Sequence, residues 1–358
     1  MRSILAGTAL VVGGALAIAG CSSSSSSSSS AATGSSSSSA ATGSSSPAAA
    51  AAPVTVRLGY LANITHAPAL IAVKNGYFTK DLGANTLKTT VYSSGTQETT
   101  AILAGQLYAA YVGPNPAINA FQKSGGAAIK IVSGVATGGA SVVVKSSVTS
   151  ASQLKGASLA TPSLGNTQDV FLRYWLKQNG LATTTTGGGD ASIKPTTPNS
   201  ASVLEFKSGQ IAGASEPSPY DVEIVQEGGK VLLSEPGVTT VLVVTQSFLA
   251  AHPDVVADLL KANEQSLAYI KSDPSAAATA ANDQLAAYTG KPLKAAVLTP
   301  AFKEITFTDD PDAASLTQDA SQAESVGLLK STNLSGIFDL DPLNSILSAD
   351  GQAAVSAS

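Results

Sequence analysis

The chain has 358 residues, of which 44% are hydrophobic and 12% are charged, and its formal net charge is -4. This length is enough for a sizeable core and for two domains. The slightly acidic balance leaves no basic footprint for nucleic acid, so nucleic acid is excluded as a partner.

The N-terminus has the pattern of a secretory signal, with a short basic start and then an uncharged apolar run over residues 4–19. The run ends in Ile18-Ala19-Gly20-Cys21, which resembles a bacterial lipobox. That resemblance implies that residues 1–20 are a lipoprotein signal peptide and that Cys21 is lipidated. The alternative is a membrane-spanning anchor, because about 18 apolar residues can cross a bilayer. Cys21 is the only cysteine, so no disulfide can form within the chain.

Residues 21–53 combine this cysteine with a tract of Ser, Ala, Thr and Gly. The tract contains a duplicated unit, SSSSSAATG, at residues 26–34 and again at residues 35–43. Such a composition has no apolar area to bury, so the tract predicts a flexible tether. A glycosylated stalk would have the same composition.

Strand and helix patterns alternate from Val54 onward, and this alternation indicates an α/β protein. Apolar and β-branched runs predict strands at residues 54–60, 107–112, 129–132, 142–144, 157–160, 211–214, 231–233 and 241–244. Amphipathic spacing with Pro or Gly at the ends predicts helices at residues 68–76, 96–104, 116–123, 166–178, 199–207 and 219–226, and a mostly helical stretch from 247 to about 335.

Two segments look like an internal repeat: LAGQLYAAYVGPNP at Leu103–Pro116 and FKSGQIAGASEPSP at Phe206–Pro219. Each consists of a helix end, a Gly-Gln pair, a short strand and a Pro-x-Pro sequence. Chance similarity between two Gly-rich joints is the alternative. If the repeat is real, two domains of similar design present strand ends to a shared cleft, where ligands of open α/β sheets bind.

Four stretches of sequence, RLGYLANITHAPALIAVKNGYF, AAYVGPNPAINAF, LATPSLGNTQDV and SEPSPY, resemble the NitT/TauT class of ABC-transporter substrate-binding proteins, and in particular its aliphatic-sulfonate-binding branch. The resemblance covers about residues 54 to 340. It implies a type II periplasmic-binding fold, with two α/β domains, two crossover strands and an interdomain cleft. Domain I would comprise residues 54–144 and 237–358, and domain II residues 145–236. Ser141–Lys145 and Val241–Thr245 would be the crossover strands.

The loops predicted at the cleft are polar without being charged. We expect the ligand to be bound by side chains and backbone groups of Asn63, Thr65, His66, Ser94, Gly95, Thr96, Gly113, Pro114, Asn115, Thr137, Gly138, Asn166, Thr167, Gln168, Glu216 and Pro217. The stretches at residues 94–96 and 165–167 lie at helix starts, where backbone N–H groups favour an anion.

The arginine census favours a sulfonate over an amino acid. The three arginines are Arg2 in the signal, Arg57 inside the first strand and Arg173 in mid-helix. None lies in a predicted cleft loop, whereas an amino-acid receptor normally holds the carboxylate with a bidentate arginine.

Two of the candidate side chains have a structural alternative. His66 could donate a hydrogen bond to the ligand, or it could make a structural hydrogen bond at a helix start. Glu216 could accept a hydrogen bond from a ligand amine, or it could cap a helix.

The predicted function is that of an extracytoplasmic solute-binding protein, which closes on an aliphatic sulfonate by hinge motion and delivers it to ABC permease and ATPase subunits. We expect a monomer held at the cell membrane by its lipid anchor, without cofactor or metal. Nitrate, bicarbonate or a thiamine-pyrimidine precursor are alternative ligands, and a receptor without transport is an alternative role. An enzyme on the same fold is disfavoured, because no nucleophile elbow, P-loop or metal motif is present in the sequence.

Overall fold

The computed structural model describes residues 52–357, and these residues belong to one compact unit. The expectations for the signal peptide, for Cys21 and for the tether up to residue 51 lie outside the described residues. Among residues 52–357, no helix combines the length and the apolar composition needed to cross a membrane.

The first sheet has six strands in the order β11-β4-β10-β3-β1-β2. Its strands are β1 (Thr55–Leu61), β2 (Thr86–Tyr92), β3 (Ala109–Val112), β4 (Ile129–Gly138), β10 (Val238–Thr245) and β11 (Ile305–Phe307). Strand β1 pairs in parallel with β2 and β3, whereas β10 runs antiparallel between β3 and β4. The central strands are apolar on both faces because helices cover both sides of the sheet.

The second sheet has five strands in the order β7-β6-β8-β5-β9. They are β5 (Ala140–Lys145), β6 (Ser158–Thr161), β7 (Ser192–Pro195), β8 (Gly213–Pro217) and β9 (Gly229–Ser234). Strand β6 pairs in parallel with β7 and β8, and β5 runs antiparallel between β8 and β9.

The helices of the described chain lie mainly on the faces of these sheets. They are α1 (Ala67–Lys74), α2 (Tyr77–Asp81), α3 (Gly95–Leu103), α4 (Pro114–Lys123), α5 (Thr167–Gln178), α6 (Ser200–Lys207), α7 (Tyr220–Gln226), α8 (Gln246–Ala251), α9 (Pro253–Ser272), α10 (Pro274–Thr289), α11 (Ala295–Lys303), α12 (Ala313–Ser325) and α13 (Asp341–Ala349). Two mixed sheets with helices on their faces confirm the predicted α/β fold class.

The two sheets have the same design. In the first sheet, β1 pairs in parallel with β2 and β3, and β3 also pairs with the antiparallel strand β10. In the second sheet, β6 pairs in parallel with β7 and β8, and β8 also pairs with the antiparallel strand β5. Strand β3 of the first repeat segment and β8 of the second occupy equivalent positions. Gly105 and Gly209, which follow the preceding helices, both have left-handed backbone conformations, with φ of 69° and 77°. The topology therefore supports a structural repeat over chance similarity.

The domain bounds remain a prediction, but the strand pairing places one strand predicted for domain I in the second sheet. The bounds placed residues 142–144 in domain I, whereas β5 pairs with β8 and β9 in the second sheet. The chain thus passes from the first sheet to the second at Gly138-Gly139, and returns between β9 and β10. An apolar strand suits the centre of either sheet, so its residue types alone did not reveal its partners.

Two predicted cleft loops are in fact strand ends. Thr137 and Gly138 belong to β4, where Thr137 pairs with Val238 and with Thr306. Glu216 and Pro217 are the last residues of β8. The Gly-Gly pair suggested a loop, but the neighbouring β10 and β11 extend β4 to Gly138.

Candidate functional site

The starts of three helices meet between the two sheets. Gly113 lies just before α4, and a Cβ atom added to it would be 2.6 Å from Thr167 Oγ1 at the start of α5. Thr96 Oγ1 in the first turn of α3 is 2.8 Å from Ser163 Oγ in the loop before α5. A Cβ atom on Gly95 would lie 2.8 Å from a side-chain carbon of Pro116 in α4. We call this region the helix-start junction.

Local sequence explains why α5 begins where it does. Asn166 is its N-cap, and the side-chain oxygen of Asn166 accepts a hydrogen bond from the Asp169 N–H at 3.1 Å. The Asn166 amide group in turn donates to Gln168 Oε1 at 2.8 Å. The cap leaves the backbone N–H groups of Thr167 and Gln168 without an intrahelical acceptor, since they belong to the first turn.

Two buried polar atoms at the junction have no hydrogen-bond partner within the described residues, namely Thr167 Oγ1 and Asn115 Oδ1. The other end of the Asn115 amide is bound, because Asn115 Nδ2 donates to the backbone oxygen of Asp319 in α12 at 3.2 Å. Buried polar atoms of a native protein normally have a partner, so these two are candidates for contact with a ligand or a bound water.

The loop after β1 closes on itself through hydrogen bonds. Thr65 Oγ1 donates to Asn63 Oδ1 at 2.8 Å, and His66 Nδ1 accepts from the Leu61 N–H at 3.2 Å. Burial lowers the pKa of His66 to about 3, so this imidazole is neutral at physiological pH and carries its proton on Nε2. His66 thus makes the structural hydrogen bond of our second interpretation, and a ligand contact through Nε2 stays a prediction.

The end of β8 reaches the same loop. The backbone N–H of Ile64 donates to the Ser218 oxygen at 2.8 Å, and Tyr220 Oη donates to the Ala62 oxygen at 2.9 Å.

Glu216 Oε2 accepts from Asn199 Nδ2 at 3.0 Å. Complete burial raises the pKa of Glu216 well above its ordinary value. The donor to Glu216 is a side-chain amide and not a backbone N–H of a helix start, so the hydrogen bond seen here is not a helix cap.

Two residues of this region, Ser163 and Asp221, were missed from the sequence. Ser163 contacts Thr96 of α3, which is 67 positions away along the chain, so no local pattern reveals the contact. Asp221 accepts from Ser141 Oγ at 2.9 Å and from Ser218 Oγ at 2.8 Å, at the point where β5 and β8 pair. Burial raises the pKa of Asp221 to about 7. A Ser-x-x-Asp spacing from Ser218 to Asp221 was the one local signal available.

The electrostatics of the junction come from helix starts and not from cationic side chains. Arg173 is fully buried in an ion pair with Asp169, with 2.8 Å between Nε and Oδ2. Arg57 lies in β1, between β2 and β3 of the first sheet, and its guanidinium group stacks on the ring of Tyr108. No group of three or more His, Cys, Asp or Glu residues among positions 52–357 is arranged to hold a metal ion.

Comparison with known proteins gives one family match, to the model of the NMT1-like family over residues 49–285. No curated protein sequence matches the chain. Among solved structures, the alkanesulfonate-binding protein SsuA from Xanthomonas axonopodis pv. citri, bound to MOPS, is 17% identical with a TM-score of 0.64, covering 80% of this chain and 97% of that one. The periplasmic nitrate-binding protein NrtA from Synechocystis PCC 6803 is 14% identical with a TM-score of 0.71, covering 83% and 89%. The periplasmic aliphatic sulphonate binding protein SsuA from Escherichia coli is 18% identical with a TM-score of 0.60, covering 80% and 96%. At these identities the structural likeness confirms the periplasmic-binding fold.

Proposed function

This chain belongs to the NMT1-like family, and from that premise we propose that it is the solute-binding component of an ABC importer. In this proposal the protein holds an aliphatic sulfonate at the helix-start junction and closes its two sheets around it. The single observation that carries the proposal is the meeting of the starts of α3, α4 and α5.

A helix start favours a negative charge, typically by 0.3–1 kcal/mol when exposed and by about 2 kcal/mol when partly buried. The electrostatic fields of three helix starts that meet add together, and the first-turn N–H groups of Thr167 and Gln168 have no intrahelical acceptor. The hydroxyl of Thr167, whose oxygen has no partner among the described residues, supplies a further donor.

The absence of an arginine from the junction supports a sulfonate over an amino acid. Both described arginines are engaged elsewhere, Arg173 with Asp169 and Arg57 with the backbone oxygens of Gly105 and Gln106. A sulfonate has three equivalent oxygens that backbone N–H groups and hydroxyls can bind without a cationic side chain. The two SsuA proteins and NrtA are likewise named for the binding of anions, namely alkanesulfonate, aliphatic sulphonate and nitrate.

Thermal unfolding of the purified protein tests the ligand class. Each candidate, namely an alkanesulfonate, taurine, nitrate, bicarbonate and a pyrimidine, is added as the sodium salt or neutral compound at one ionic strength. A ligand at 100 times its Kd stabilises the folded protein by about 2.7 kcal/mol, which raises Tm by several degrees. A shift with nitrate or the pyrimidine alone would overturn the sulfonate and leave the importer role standing. No shift with any solute would contradict solute binding.

We further propose that lipidation of Cys21 anchors the protein outside the cytoplasmic membrane, and that the partner permease receives the closed, ligand-bound form. Cys21→Ser then releases the protein into the soluble fraction while leaving its ligand-induced Tm shift unchanged. A membrane fraction that is equally rich in the Cys21→Ser variant would contradict the lipid anchor.

A further inference from the structure

A groove of about 510 Å³ lies between α5, the segment that joins β9 to β10, and α12. We call it the α5–α12 groove. Its α5 wall carries the aromatic rings of Phe171, Tyr174 and Trp175. Its opposite walls carry Glu235 from the joining segment and Asp319 from α12. The volume lies within the range of sites that hold small molecules.

The two carboxyl groups in this groove lack partners. Glu235 is 5% exposed and Asp319 is 7% exposed. Glu235 Oε2 and Asp319 Oδ2 make no hydrogen bond within residues 52–357. The side chains that line the groove in the described part of the chain include a third carboxylate, Asp312, and no lysine, arginine or histidine. Leaving a carboxylate buried without a partner is costly, so a positive charge bound in the groove would stabilise the carboxylates of both residues.

The acidities of these two carboxyl groups agree with this geometry. Burial raises the pKa of both Glu235 and Asp319 well above the ordinary range. The negative charge of Asp319 raises the pKa of Glu235 further, and Asp312 does the same to Asp319. In their charged forms these carboxyl groups would repel one another, and a cation bound between them would offset that repulsion and favour the carboxylates.

We propose that the α5–α12 groove binds an organic cation, an amine or quaternary ammonium compound, between the carboxylates of Glu235 and Asp319 and the aromatic rings of α5. Aromatic faces attract such cations by about 0.5–1 kcal/mol at exposed sites and by about 2 kcal/mol or more when desolvated. The residues favour an organic cation over a metal ion, because no three-ligand metal cluster is found in the part of the chain that the structure describes.

This inference does not depend on the sulfonate site. The two sites are nevertheless connected, since Asn115 at the helix-start junction donates to the backbone oxygen of Asp319 in the groove. An occupant of the groove therefore acts on α12, which also packs against α5 through Leu316, Ala320 and Val170 in one apolar cluster.

Trp175 makes the groove directly observable, because it is the only tryptophan of the chain. Tryptophan emission is followed while the purified protein is titrated with choline or with butylamine at constant ionic strength. The matched control for choline is 3,3-dimethylbutan-1-ol, which has the same shape and no charge. We expect a saturable emission change with at least one cation, and no saturable change with the neutral alcohol.

Two substitutions assign the effect to the carboxylates. Glu235→Gln and Asp319→Asn keep the side-chain shape, and each should weaken cation binding by about tenfold or more. Glu324→Gln removes an exposed acid from the same helix α12 and should leave binding within twofold of the wild type.

Three results would overturn the proposal: no saturable change with either cation, an equal response to choline and to its neutral isostere, or unchanged affinity in both groove variants. A thermal melt of each variant verifies that it is folded. Sulfonate-induced Tm shifts that persist while cation binding is absent would refute this inference and leave the proposed function intact.

Discussion

The contact between Gly113 and Thr167 offers a way to hold the two sheets apart with one methyl group. Gly113 has φ of -65° and ψ of 152°, so alanine fits its backbone conformation without strain. The new Cβ atom would lie 2.6 Å from Thr167 Oγ1, well inside van der Waals contact. The Gly113→Ala variant should therefore fold, and its extra volume should oppose closure at the helix-start junction.

The magnitude follows from the packing. An added methyl group in a close-packed region costs typically 1–3 kcal/mol. If closure is needed to retain the ligand, this cost appears in the affinity as a loss of roughly 5-fold to 150-fold, since each 1.4 kcal/mol is a factor of ten. Calorimetric titration with the solute that gives the largest Tm shift measures the loss directly.

A double-mutant cycle identifies the clash as the cause. The next atom near the added methyl group is Thr167 Cβ at 3.6 Å, which is an ordinary contact. In a Thr167→Ala background, Gly113→Ala should therefore cost about 0.5 kcal/mol or less. Gly188→Ala, in the loop between α5 and β7, is the matched control, because its new Cβ would lie 3.3 Å from the hydroxyl oxygen of Thr184, which is not one of the junction residues. Equal costs of Gly113→Ala in both backgrounds would refute the reasoning.

Further predictions concern the same region and its supports. Thr167→Val removes a hydroxyl oxygen that has no partner among the described residues, so it should weaken ligand binding, measured by calorimetry, with little change in Tm; unchanged affinity would remove Thr167 from the site. Asn166→Ala should lower the free energy of unfolding in urea by about 1 kcal/mol, because it removes the cap of α5, whereas Asn166→Asp should keep most of that stability. Arg173→Met leaves Asp169 buried without its partner and should cost about 3–5 kcal/mol in the same urea experiment; a loss below 1 kcal/mol would contradict a structural ion pair. Burial raises the pKa of Glu98 well above 4.5, so the folded protein binds more protons than the unfolded chain as pH rises above 4.5, and stability falls with pH in that window. Glu98→Gln should therefore raise Tm relative to the wild type at pH 8 and much less at pH 4.5, and a Tm difference independent of pH would contradict this assignment.

The elements that the sequence predicted are those with a strong local signal. Strands β1, β5 and β10 are runs of apolar or alternating residues, and α5 has a polar cap followed by apolar positions at helical spacing. Strand β2 was missed because its sequence, TLKTTVY, is polar and half-exposed at the edge of the sheet. Strand β11 has three residues and is held by its pairing with β4, which no local pattern reveals.

The residues of the candidate site differ in the same way, because some have a local signal in the sequence and others do not. Asn166 and Thr167 could be predicted, because a cap residue before an amphipathic run fixes both the helix start and the side that faces the strand ends. Glu235 and Asp319 could not, since they are distant in sequence and share a groove only through the packing of α12 on α5. His66 was assigned two roles, and only the structure showed that its Nδ1 is occupied by the Leu61 N–H.

The position of β10 between β3 and β4 has a consequence for the order in which the protein folds. All five strands of the second sheet come from residues 140–234, a continuous stretch of chain. The first sheet, in contrast, has a gap at its centre until residues 238–245 are in place. The second sheet can therefore form as a local unit, whereas the first is completed by β10 and β11, which both follow the second sheet along the chain. A chain cut short before residue 238 should contain one finished sheet and one that remains open, with its apolar central strands exposed.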